Sequence, residues 1–337
     1  MAFFIASRVL IAAVTALVAT FVVFSIVNLV PGDPVLAQLG DIALSNEAFV
    51  AAFREKWGLD LPFWQRYLIF LQQLAQGDLG VSISSQRPVL DDIMQYAPAT
   101  IELATLGFLL SLGLGIPLGI LAAVYRDSWV DHAARFVSLL GVSSPSFWLA
   151  FILLAIFYGG LQIAPGPGRL DLGELAAPTV TGFYLIDTAL IGDWAAWRSA
   201  AAHLILPSIV LAAATIGLIT RTTRASMLET LEQDYIRTAR AKGLGRRQIV
   251  LGQALPNTLV PIVTLSGLAY AQLLTGAVMT ETIFSWPGLG RYTFRSATML
   301  DVPAIMAVTL LVAVVYLLIN LLVDISYPFL DPRAGRQ

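Results

Sequence analysis

Hydrophobic and polar positions along this chain fall into long blocks rather than short alternations. Uncharged, mainly apolar runs cover Val9 to Val30, Leu103 to Tyr125, Phe136 to about Tyr158, Leu204 to Thr220, Asn257 to Thr280 and Val302 to Val323. Each is close to the roughly 20 residues that carry a helix across a bilayer. The pattern predicts an all-α polytopic membrane protein with six transmembrane helices. The first run has 22 uncharged residues behind Arg8 and is followed by Pro31-Gly32-Asp33-Pro34. That is longer than the roughly 7–15 apolar residues of a signal peptide, so an uncleaved first span is expected. The chain divides on this reading into residues 1–30 (N-terminus and first span), an extracytoplasmic segment 31–99, and a five-span core 100–337 containing a polar loop 221–256.

The polar blocks assign sides. Arg8, the loop Arg126–Arg135, the loop 221–256 and the tail with Arg333 and Arg336 would share one side, and together they hold 12 of the 20 basic residues. The positive-inside rule puts that side, with both termini, in the cytoplasm.

The loop 221–256 carries seven basic residues, Arg221, Arg224, Arg237, Arg240, Lys242, Arg246 and Arg247. Within it Asp234 is placed to cap a short helix from Tyr235 to Lys242, and Gly243 stands where a left-handed helix end wants glycine. Leu231, Tyr235 and Ala239 repeat every four residues and give a thin apolar face. A capped helix held between two spans suits docking. A solvated basic loop that only sets topology is the alternative.

Elsewhere, a stretch from Asn46 to Trp57 reads as amphipathic. Phe63, Trp64, Tyr67 and Phe70 recur at helical spacing and predict a helix lying at the membrane surface or a packed outer cap. The second run carries Gly107, Gly113, Gly115 and Gly119 around Pro117, which predicts close helix packing. Pro145 within GVSSPSFW predicts a kink rather than a broken, pathway-lining helix.

Composition narrows the function. The chain is 57% hydrophobic and 12% charged, against about 25% charged in a globular domain. There is no cysteine, which removes disulfide and thiolate chemistry, and the two histidines are far apart in sequence. No phosphate-binding loop of the G-x-x-x-x-G-K-[ST] type occurs, so the chain holds no ATPase site of its own. Glu102, Glu281 and Asp324 stand at span ends and no charge lies at mid-span, unlike an ion-coupled carrier. The serines at 143, 144 and 146 lack the base an intramembrane protease needs. What is left is a translocation subunit that borrows energy from the cytoplasm. A stand-alone secondary transporter or channel is the competing class.

DYIRTARAKGL (234–244) followed by ALPN (254–257) resembles the cytoplasmic coupling signature of the membrane subunits of binding-protein-dependent ABC importers. That signature runs EAA, three residues, Gly, nine residues, I-x-L-P, and lies over Arg237, Thr238, Ala239, Gly243, Gln253, Leu255 and Pro256. The leading Glu is Arg, the next Ala is Thr and the Ile is Gln, departures that look like the peptide/nickel branch. PGDP (31–34), GDLG (77–80), GIPLGILAA (115–123), TGFYLIDTA (181–189) and ETIFSWPGLGR (281–291) look like the B-type permease of dipeptide transporters. The resemblance implies a type I importer permease fold in the cytoplasmic membrane of a bacterium. It implies a homologous second permease subunit, two ATPase subunits that bind the ATP and Mg, and an extracytoplasmic peptide-binding protein as partners, with no cofactor in this chain and no nucleic acid. It further implies that Asp234, Tyr235, Arg237, Thr238, Ala239, Arg240, Gly243, Leu255 and Pro256 couple to an ATPase subunit. The same architecture would serve nickel, glutathione or another small solute, and no substrate-binding residue is assigned.

Overall fold

A computed structural model describes residues 2–29, 48, 51, 61–171 and 180–330. The PGDP stretch, most of the Asn46–Trp57 stretch and the basic tail lie outside them. Helices account for the architecture: α1 (Ala2–Leu29), α2 (Phe63–Ala75), α3 (Val89–Val124), α4 (Trp129–Ser143), α5 (Ser146–Leu153, continued as a π-helical turn over Leu154–Gly160), α6 (Tyr184–Ile191) and α7 (Trp194–Leu231). They continue with α8 (Asp234–Ala241), α9 (Arg246–Gln248, continued as π-helix over Ile249–Ala254), α10 (Leu255–Gly276), α11 (Val278–Ile283), α12 (Leu289–Thr298) and α13 (Val302–Leu330). Among the described residues the only extended pairing is an isolated antiparallel bridge between Val81 and Pro88.

Five of these stretches are long and apolar enough to span a bilayer, and α4 with α5 makes a sixth if the bent pair counts as one. That pair turns by 106°. The kink expected at Pro145 is therefore a break: Ser144 leaves the helix with ψ at 123° and Pro145 follows with ψ at 132°. Proline disfavours helical backbone in the residue before it, and here two residues adopt extended angles. The pair still crosses the bundle. At its start Asp131 binds Arg224 of α7, and beyond its end Arg169 binds Glu102 of α3.

Those two contacts lie at opposite ends because α3 and α7 run parallel, side by side. Their seam follows the glycines of α3. A methyl group on Gly107 would meet Leu211 Cβ at 3.4 Å, and on Gly115 and Gly119 it would meet Ile219 and Thr223 at 2.9 and 2.6 Å. Gly113 faces open space and takes no part. On the other side of α7, Gly141 of α4 and Gly217 of α7 let backbones touch, with Ala213 O and Ser138 O filling the places of their missing Cβ atoms.

The aromatic stretch at 63–70 forms α2, and its rings pack on α1. Phe63, Tyr67 and Phe70 surround Phe24 at centroid separations of 5.3–5.4 Å, and Tyr67 hydrogen-bonds Thr20. The first span is thus capped by a helix docked on it. Opposite that end, Arg8 and Asp324 form an ion pair that joins α1 to α13.

Candidate functional site: the α8 docking element

Where α3, α7 and α9 end together, α8 closes over them. Ile236 and Ala239, three residues apart on one helical face, are buried with Ala123, Met227, Ile249, Val250 and Ala254. Leu231, Leu244 and Leu255 pack around this nest. Arg246 donates to the carbonyl of Val124 and lies over the Tyr125 ring, 4.6 Å from its centroid, pinning the segment after α8 to the end of α3.

Two details of α8 differ from the sequence reading. Asp234 is the first helical residue rather than its cap; Gln233 occupies the cap with extended backbone, and no side chain caps the helix. The Asp234 carboxylate points to solvent and, among the described residues, accepts only from Arg237 at 3.4 Å. Tyr235 is 41% exposed, and Ile236 takes its place on the apolar face. A helix of two turns resting on a floor buries an i, i+3 pair, and which pair is set by the floor, not by the helix alone. The Tyr235 phenol still reaches Asn257, and partial burial pushes its pKa up while that hydrogen bond works downward.

The helix ends as the sequence foretells. Gly243 has φ of +80°. Its N–H donates to Arg240 O at 2.9 Å and the Leu244 N–H donates to Ala239 O at 3.2 Å, the paired bonds of a Schellman ending. Leu255 is partly buried under the nest, and Pro256 opens α10. Proline has no N–H to return to residue 252, and the backbone before it is wound as π-helix. Thr238 bonds back to Asp234 O, and Arg237, Thr238, Arg240 and Lys242 face outward. The structure therefore brings all nine predicted residues to one protrusion, with Ala239 and Leu255 turned in. It adds Ile236, Met227 and Arg246, whose signal was an apolar residue three before Ala239 and an arginine just past the Gly243 turn.

The description "binding-protein-dependent transport system inner membrane component" matches residues 115–336, and its N-terminal companion matches residues 1–104. The chain belongs to this family. It is 48% identical to the probable D,D-dipeptide transport system permease protein DdpB of Escherichia coli (strain K12), over 94% of this chain and 92% of that one. It is 43% identical to the dipeptide transport system permease protein DppB of the same strain, over 93% of each. It is 35% identical to the glutathione transport system permease protein GsiC of Escherichia coli O6:H1, over 94% of each. Its fold is similar to a chain of the MetNI methionine ABC transporter in inward facing conformations, with TM-score 0.50 and 16% identity, covering 69% of this chain and 93% of that one. This family member is a multi-pass membrane protein with the ABC importer permease fold.

Proposed function

We propose that this chain is a permease subunit that moves dipeptides or short peptides inward across the bacterial cytoplasmic membrane, driven by ATP hydrolysed on partner subunits. A homologous second permease, two ATPase subunits and an extracytoplasmic binding protein complete the assembly, and both termini face the cytoplasm. The cargo rests on the names of relatives 41–48% identical over nearly the whole chain, against 35% for the glutathione relative.

One observation carries the coupling role: α8 is rooted by Ile236 and Ala239 on the ends of α3, α7 and α9 while its basic face is free. A partner that grips the exposed face moves three membrane helices through one small nest. In the coupling sense this is a two-state element biased from both sides, by the ATPase below and the peptide above. Asp234, Tyr235, Arg237, Thr238 and Arg240 would touch the ATPase, while Ala239, Gly243, Leu255 and Pro256 would hold the helix in place.

The test is reconstitution of the chain with its partner subunits in liposomes, with and without residues 235–243. Peptide-loaded binding protein is expected to stimulate ATPase activity in the intact complex and not in the deletion, which still inserts. Normal uptake in the deletion would overturn the coupling role, and peptide transport by this chain without ATPase subunits would overturn the importer reading.

A further inference from the structure

Between α8 and α10 the helical ladder holds one residue more than an α-helix would. Over Ile249–Ala254 the backbone is wound as π-helix, and the Leu255 N–H donates to Val250 O, five residues back, rather than to Leu251 O. The buried positions show the same surplus. From Thr258 onward they keep α-helical spacing through Ile262, Ser266, Ala269 and Leu273. Carried back at 3.6 residues per turn, that stripe would fall at about positions 254, 251 and 247. The structure buries Ala254 but then Val250 and Ile249, and it leaves Leu251 and Arg247 exposed.

The sequence explains where this wide turn sits. Pro256 has no N–H, so the rung that would return to Gly252 O in an α-helix is missing, and Leu255 is the last donor before that gap. Gly252 is exposed, and a methyl built on it meets nothing within 4 Å, so the surplus residue has open space around it. The turn also has a handle on α8. The Asn257 side-chain amide donates to Gln253 O at 2.7 Å, and the Tyr235 phenol of α8 bonds the same Asn257 side chain. Both ends of the turn are held: Arg246 on the carbonyl of Val124, and Thr258 buried with its hydroxyl 3.7 Å from Met227 Sδ.

We infer that the wide turn is a sliding joint between α8 and α10. When α8 is displaced, the Leu255 N–H exchanges Val250 O for Leu251 O, and the surplus residue passes toward α8 while the buried face of α10 keeps its place. The two bonds are of the same chemical kind, amide to carbonyl, so the exchange trades like for like. One residue of an α-helix corresponds to about 100° of rotation and about 1.5 Å of rise. The joint therefore takes up displacements of α8 up to that size without unseating Thr258. The inference deepens the coupling reading and rests on it for what displaces α8.

Deleting Gly252 tests the joint. Removing the surplus residue closes the ladder into continuous α-helix and, on the spacing above, keeps Val250 and Arg246 on the buried side. The deletion, the deletion with an alanine inserted between Gln253 and Ala254, and Gly252→Ala are compared in the complete transporter in liposomes. The deletion is expected to insert and co-purify with its partners, while stimulation of ATPase activity by peptide-loaded binding protein falls at least fivefold. The reinsertion, which restores the residue count, and Gly252→Ala, which never changes it, are expected to stay within twofold of the intact chain. Full stimulation in the deletion would overturn the joint, and so would a loss that reinsertion does not restore. Amide exchange over residues 250–256, read by mass in the intact complex with and without bound, unhydrolysed ATP, decides the point independently of how the deletion folds. A change of at least tenfold there, with residues 262–273 constant, is expected; equal protection in both states would overturn the joint. If loaded binding protein stimulates nothing in the intact complex, the peptide-importer reading fails, and the exchange measurement still decides the joint.

Discussion

The two ends of the α3–α7 pair are built on different principles. At the α8 end the floor under α8 is a nest of small and aliphatic side chains, and the basic face of α8 is turned to solvent; one buried ion pair, Asp131 with Arg224, stands apart from that nest and ties α4 to α7. At the other end, buried polar groups interlock. Arg169 binds Glu102 and lies on the Tyr184 ring, 3.6 Å from its centroid, while Glu102 also accepts the Leu185 N–H at 2.8 Å. Glu281, fully buried, accepts from the Thr100 hydroxyl at 2.6 Å and from the Arg291 N–H at 2.9 Å. Trp286 donates to Ala99 O, and Asp301 accepts from Ser82 and from the backbone of Ser84. A directional network has one good arrangement and is costly to half-break. An aliphatic nest is non-directional and lets its lid shift by fractions of a contact. The comparison teaches that α8 on its aliphatic floor is suited to being pulled, and the network at the other end is suited to staying put.

Breaking the rigid end should cost most. Arg169→Ala leaves the Glu102 carboxylate buried with the Leu185 N–H as its remaining partner among the described residues, and removal of one member of such a pair costs about 3–5 kcal/mol. A marked drop in the thermal midpoint of the purified complex is expected. Arg169→Lys should recover part of it, because the ammonium cannot reproduce the guanidinium's planar stacking on Tyr184. A midpoint unchanged in Arg169→Ala would mean that the outer network does not hold this end.

Ile236→Ala should cost about 2–3 kcal/mol, at the low end for a buried isoleucine because the site lies at the edge of the fold. The loss should be local. Amide exchange in residues 236–244 is expected to rise about 30–150-fold at 1.4 kcal/mol per decade, with the global midpoint nearly constant. Equal loss at both levels would show that α8 is part of the rigid body, and the contrast between the two ends would collapse.

What the sequence revealed and what it withheld follow the same division. The spans, the glycine seam of α3 and the Gly243 ending are local patterns: an apolar run, a small residue at each helical repeat, a glycine after a basic turn. The outer network joins residues 67 apart for Arg169 with Glu102, and 181 apart for Thr100 with Glu281. No periodicity announces such pairs, and in the sequence both glutamates read only as charges at span ends. Ile236 was missed for a related reason. Which face of a two-turn helix is buried depends on the floor made by Met227, Ile249 and Ala254, which lie in other elements. The break at Pro145 needs α7 alongside it, since one proline alone is equally compatible with a gentle kink.

The smallest effect sharpens the comparison furthest. Gly243 has open space around it, with nothing within 4 Å of a built Cβ, so a side chain there meets no steric wall. The penalty of Gly243→Ala is then purely that of holding an L-residue at φ of +80°, about 1 kcal/mol. Asparagine tolerates that region better, so Gly243→Asn should cost less than Gly243→Ala despite its larger side chain. This inverted size order, read by exchange of the Gly243 and Leu244 amides that close the helix, is the expected result. If Gly243→Asn proves worse than Gly243→Ala, backbone strain is not what matters at this position. Space is then needed there, and the body that requires it is whatever covers the exposed face of α8 in the assembled transporter.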